Sequence, residues 1–174
     1  MSNAEHEPTG AIECMVNGEA VSTHVPLRQS LVDFLRHGLG LTGTHVGCEH
    51  GVCGACNVVV DQRVVRGCLM LAVQVDGSSI TTIDAEKSDE YITILQQQFF
   101  ERAALQCGFC TPGMILQASE LLRHTPAPTR AEIREALSGN YCRCTGYHAI
   151  VDAVEASAKV ISHLSSDIGR RGGS

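Results

Sequence analysis

Residues 47–56 read GCEHGVCGAC, in which Cys48, Cys53 and Cys56 are spaced C-x4-C-x2-C, and Cys68 follows after eleven intervening residues. That is the plant-type [2Fe-2S] spacing, in which a tight loop offers three thiolates and a later residue closes the site. Glycines at 47, 51 and 54 stand where side chains would obstruct a backbone that wraps a cluster and turns its N–H groups toward the sulfurs. Structural zinc is the alternative for the same four cysteines. Zinc sites usually pair two C-x2-4-C knuckles, and here only Cys53 and Cys56 have that form.

On either side of this loop, from Ala11 to Asp84, apolar runs are short and β-branched: IECMV, VSTHV, NVVV, VV and ITTI. Asn17-Gly18 and Asp76-Gly77 punctuate them as turns, which predicts strands and hairpins. Leu27, Leu31, Phe34 and Leu35 instead fall at helical spacing, so a small sheet packed on one helix is expected. Cys14, in an alternating strand, reads as a buried small hydrophobe rather than a ligand.

Beyond a polar linker at 85–90 the period becomes helical through residue 165. Ile92, Leu95, Phe99 and Leu105 form one stripe, and Thr111-Pro112 predicts an N-cap with proline at the first helical position. Met114, Ile115, Ala118, Leu121 and Leu122 continue that helix. Thr129 with Glu132 is a capping box ahead of Ile133 and Leu137, and Ile150, Val151, Val154, Ala158 and Ile161 form a last helix. Residues 1–10 and 166–174 read as loose ends. The class is α+β, a sheet lobe at 11–84 followed by a bundle of about four helices at 91–165.

The helical lobe carries its own thiols: Cys107 and Cys110 as C-x2-C before the 111–112 helix start, Cys142 and Cys144 as C-x-C before the last helix. Each pair is expected at a helix N-terminus, where free N–H groups stabilise negative charge. The C-x-C pair suits two ligands on one iron, with the C-x2-C pair serving the other; zinc remains open here too. Four, four and Cys14 account for all nine cysteines. Mixed Cys/His ligation of the Rieske kind fails, because Cys48-Glu49-His50 supplies Cys-x-His but no Cys-x2-His occurs. His45 and His50 read as solvated loop residues, and His148 is assigned no role.

The chain has 174 residues and a net charge of −6, which disfavours nucleic acid as a partner. No apolar run reaches a membrane span, no leader opens the sequence, and a cytoplasmic location is expected. Nine cysteines in a reducing compartment point to metal rather than disulfides, and lobes this small need such a staple. No GxGxxG, Walker, HExxH or GxSxG motif is present. Redox centres without visible substrate chemistry read as an electron conduit. A stand-alone ferredoxin-like carrier and a zinc-stapled interaction module are the competing readings.

GCEHGVCGAC with Cys68, QCGFCTPGM (106–114) and GNYCRCTGY (139–147) together resemble the small iron-sulfur subunit of the xanthine oxidase family of molybdenum hydroxylases. Relatives of this kind serve carbon monoxide dehydrogenase, 4-hydroxybenzoyl-CoA reductase, nicotine dehydrogenase and other N-heterocycle hydroxylases. The resemblance, spanning Ala11 to Leu164, implies a β-grasp, plant-ferredoxin-like first domain and a four-helix second domain. It implies two [2Fe-2S] clusters. The one on Cys107, Cys110, Cys142 and Cys144 lies nearest the molybdopterin of a large subunit, with Gln106 and the Cys144 region meeting the pterin. The one on Cys48, Cys53, Cys56 and Cys68 faces the FAD of a medium subunit, in a dimer of heterotrimers. Asn57 and Tyr141 depart from the family's commoner Thr and Leu.

Overall fold

The computed structural model describes residues 7–85 and 89–171. β1 (Thr9–Val16) and β2 (Glu19–Pro26) form a hairpin closed by Asn17 and Gly18, at φ 53° and 87°. Two successive positive φ values make the turn whose twist suits paired strands. β3 (Asn57–Val60) and β4 (Arg63–Arg66) form a second hairpin through Asp61 and Gln62, both at positive φ without a glycine. Asp61 is held there because its carboxylate accepts from the Ser79 N–H at 2.9 Å, which also draws its pKa below the ordinary value. β5 (Ser79–Thr81) joins the hairpins, parallel to β1 and antiparallel to β3, in the order β2-β1-β5-β3-β4. The expected ITTI strand stops at Thr81, because the Thr82 N–H leaves the ladder for Asn17 Oδ1 at 2.8 Å.

β3 is covered on both faces, whereas the β1–β2 hairpin buries only one. Ile12, Cys14, Val16, Val58 and Ile80 pack with Leu31, Phe34 and Leu35, while Val59 and Val64 turn the other way onto the helices. Alternate residues of a strand face opposite sides, so a strand buried on both sides carries an unbroken apolar run such as NVVV. The helix against the sheet is α1 (Leu31–Asp33), which widens into a π-helical turn over Phe34–Gly38. It starts later than Leu27 suggested. Ser30 is its cap, its side chain accepting from the Asp33 N–H, and Leu27 lies exposed after Pro26.

α2 (Glu90–Glu101), α3 (Thr111–His124), α4 (Arg130–Ala136) and α5 (His148–Arg171) surround one apolar cluster built on Leu95, Phe99, Met114, Leu116, Leu122, Ile133, Ile150 and Val154. Asp89 caps α2, and the Thr129–Glu132 capping box opens α4 with both reciprocal bonds present. Four expectations need correction. Leu105 lies beyond the end of α2, where Ala103 at φ 48° has turned the chain out of the helix. The cap of α3 is Cys110 rather than Thr111, whose buried hydroxyl has no partner. Thr9 and Gly10, placed in a loose end, pair with Pro26 and Val25 because the hairpin register extends to them. The final helix continues through Arg171, past the expected tail boundary at 166. Residues 1–6, 86–88 of the expected linker, and 172–174 lie outside the described residues.

Cys14 sits in the sheet core, and burial raises its thiol pKa. Cys14→Ala is expected to lower stability by about 1 kcal/mol and to leave the iron content unchanged. Metal analysis of the variant checks this, and lost iron would make Cys14 a ligand.

Candidate metal centres

The 47–56 loop enters β3 with its backbone turned inward. N–H groups of His50, Cys53 and Val52 converge on the Cys48 sulfur, the Cys53 N–H at 3.4 Å, and lower that thiol's pKa to about 6. The Ala55 N–H reaches Cys53 Sγ at 3.5 Å. Cys56 is buried where β3 begins, and burial, with the neighbouring Cys68 thiol, raises its pKa to about 12. The sulfur contacts run in pairs, Cys48 with Cys53 and Cys56 with Cys68.

In the helical lobe Cys107 precedes α3 and Cys110 caps it, so the first pair lies at a helix N-terminus as expected. The second does not. α5 begins at His148, and the groups that reach Cys142 Sγ come from loop residue Thr145, its N–H at 3.4 Å and its hydroxyl at 3.1 Å. Burial raises the Cys142 thiol, but those two donors, together with the Cys144 N–H and the Cys110 thiol, outweigh it and the net shift is downward. Burial raises Cys110 to about 12. The thiols also pair across the loops instead of within C-x-C and C-x2-C: Cys144 Sγ lies 3.6 Å from Cys107 Sγ, and Cys110 is hydrogen-bonded to Cys142. The half-buried pair faces inward and the exposed pair outward, because Cys142 and Cys144 flank Arg143 and sit at different depths.

Among the described residues no three Cys, His, Asp or Glu side chains gather round one point. A zinc ion takes four donors at one point, whereas a binuclear cluster takes two at each iron, and this pairwise donor set fits the cluster.

The two loops meet along a seam of backbone. The Tyr141 N–H donates to Cys53 O at 2.8 Å, and Asn57 Nδ2 donates to Gly113 O at 3.2 Å. Gly54 at φ 73° lies against the Asn140 amide, so close that a Cβ there would stand 2.7 Å from its Cγ. The His45 ring stacks on Phe109 with Nδ1 2.8 Å from Phe109 O, so it joins the loops rather than standing in solvent. His50 folds back on Cys48 O, and His148 is an exposed first residue of α5. The Tyr147 hydroxyl braces the second loop, accepting from the Cys142 N–H at 2.8 Å and donating to Asn140 O at 3.0 Å. Gln106 is exposed beside Cys107. Sequence reasoning missed Arg66, Tyr147 and the His45–Phe109 contact. An arginine in a short apolar strand two residues before Cys68 was the available signal.

Metal binding needs deprotonated thiols, so loading releases the protons that Cys56 and Cys110 retain and grows more favourable as pH rises toward about 12. In the chain freed of iron, iodoacetamide at pH 7 should label Cys48, already largely thiolate above about 6, ahead of Cys56 and Cys110. Mass spectrometry reads the order, and equal labelling would mean the loop is not organised without its metal.

The chain matches the 2Fe-2S iron-sulfur cluster binding domain family over residues 14–91 and the [2Fe-2S] binding domain family over residues 82–155. It is 51% identical to the caffeine dehydrogenase subunit gamma of Pseudomonas sp. (strain CBB1), over 83% of this chain and 89% of that protein. It is 52% identical to the nicotine 6-hydroxylase small subunit of Paenarthrobacter nicotinovorans, over 82% and 86%. The chain belongs to the small iron-sulfur subunits of the xanthine oxidase family of molybdenum hydroxylases. A chain of the quinoline 2-oxidoreductase structure from Pseudomonas putida 86 superposes on this small subunit with a TM-score of 0.83 at 45% identity, over 89% of the small subunit and 97% of that chain. The small subunit's cofactor is therefore of the [2Fe-2S] type. No helix among its described residues is long and apolar enough to cross a membrane.

Proposed function

We propose that the small subunit holds two [2Fe-2S] clusters, on Cys48, Cys53, Cys56 and Cys68 and on Cys107, Cys110, Cys142 and Cys144, and passes electrons from molybdopterin in a large subunit toward FAD in a medium subunit. The observation that carries this reading is the arrangement of eight thiols as four close pairs on segments that touch through backbone. When bound, the clusters supply one-electron storage. The chain's own residues supply the thiolates, aim N–H groups at them, and hold the two loops in fixed register. The first set belongs to a β-grasp domain that opens with β1 at Thr9, and the second to a four-helix domain that runs from α2 through α5.

Exposed apolar side chains beside each set favour covered faces. Phe109 and Tyr141, 47% and 56% exposed, flank the second thiols, and Leu69, 63% exposed, stands next to Cys68. In this reading the second face meets the large subunit, with Gln106 against the pterin, and the first meets the medium subunit, in a cytoplasmic dimer of heterotrimers. The likeness to chains of caffeine, nicotine and quinoline enzymes supports an N-heterocycle as the substrate of the complex.

Low-temperature EPR of the dithionite-reduced complex, with iron and zinc analysis, tests the proposal. Two distinct [2Fe-2S] signals are expected. One signal would remove the two-cluster reading, and zinc without a signal would remove the redox reading altogether.

A further inference from the structure

Arg66 ends β4, two residues before Cys68, and its guanidinium holds oxygens from both thiol loops. Nε donates to Gly51 O at 3.3 Å in the first loop, and Nη2 donates to Gly139 O at 2.8 Å, just ahead of Cys142. Nη1 donates to Asn57 Oδ1, and buried Asn57 passes the contact on through Nδ2 to Gly113 O. The approach to the second loop is tight, since a Cβ on Gly139 would stand 2.8 Å from Nη2. Arg66 is half-buried. Arg123 and Arg130 each face a carboxylate, but among the described residues Arg66 has none within ion-pair distance.

Three neutral oxygens satisfy hydrogen bonds without cancelling a charge, and a cation withdrawn from water is unfavourable unless negative charge stands near it. A [2Fe-2S] group on four thiolates is anionic, and reduction adds one more negative charge.

We infer that Arg66 is the shared counter-charge of the two cluster sites, a positioning residue that grips both loops and raises the reduction potentials of both clusters. The inference rests on the two-cluster reading above. Cluster potentials respond to net charge and hydrogen bonding around the sulfurs, and a charge partly shielded from water acts over longer range than an exposed one. Arg66 touches both loops, so its charge acts on the two sites together.

The test is an EPR-monitored redox titration of the assembled complex carrying Arg66→Gln or Arg66→Lys. Glutamine is expected to lower both midpoint potentials. Lysine keeps the charge while losing the fork, and is expected to bring both back toward the wild-type values. Glutamine leaving both potentials in place, or moving only one, would overturn the proposal. So would lysine shifting them as far as glutamine does. If the glutamine variant does not load, Arg66→Met, which also removes the charge, replaces it and is read in the same way. Fewer than two signals in the wild-type complex would instead refute the two-cluster reading, so the two failures are told apart.

Discussion

Cys110→Ser is expected to leave the small subunit with one reduced-cluster EPR signal in place of two, and with about half of its iron. Cys110 and Cys142 form the inner sulfur pair of the helical lobe, so the substitution removes one of two donors from the same side of the site. A serine hydroxyl does not ionise as a thiol does, and even the Cys110 thiol has its pKa raised to about 12 by burial, so this position starts with little anionic character to spare. The first set survives because its pairs, Cys48 with Cys53 and Cys56 with Cys68, close within residues 48–68 and take no thiol from α3. Cys144→Ser should abolish the same signal with less effect on folding, because Cys144 is exposed whereas Cys110 is half-buried. Electron passage from the large subunit to any acceptor beyond the first set should stop in both variants. EPR with iron analysis reads the outcome, and simultaneous loss of both signals would refute independent cluster sites.

The spacing of the cysteines made both thiol sets legible, because ligand number and loop length are local properties of the chain. The Asn17-Gly18 turn and the Thr129–Glu132 capping box were legible for the same reason, each being fixed by side chains within a few residues. Depth is not local. Whether Cys142 pairs with Cys144 or with Cys110 depends on which sulfur faces inward, and Thr145 and the facing helix settle that only after folding. Arg66 was hidden likewise, since its partners Gly51 and Gly139 come together only when the sheet lobe docks against the helices. The Asp61-Gln62 turn carried no glycine, and its positive φ values are held by a bond to Ser79, a residue of another strand.

Gly113→Ala should affect both loops at once, and its sign is opposite to what helix propensity suggests. Gly113 lies in the first turn of α3, where alanine ordinarily stabilises a helix by roughly 0.5–1 kcal/mol relative to glycine. Here a Cβ would stand 2.1 Å from Gly54 O and 3.1 Å from Gly54 C. Both atoms are backbone, so no side-chain rotation relieves the overlap. Gly54 sits between Cys53 and Cys56, and Cys53 O already accepts from Tyr141 N–H, so retreat of the first loop stretches the bond that leads directly to Cys142. It also lengthens the Asn57 bond to Gly113 O and moves Asn57 away from Arg66. Overpacking of this kind costs about 1–3 kcal/mol or more, which exceeds the propensity gain. The expected result is a lower thermal midpoint together with altered line shapes in both EPR signals, in contrast to the single loss in Cys110→Ser. Gly18→Ala is the control: it adds a Cβ in open space at φ 87°, so it should carry backbone strain of about 1–2 kcal/mol and leave both signals untouched. If Gly113→Ala behaved like Gly18→Ala, the two loops would not be held by the Gly54–Gly113 contact.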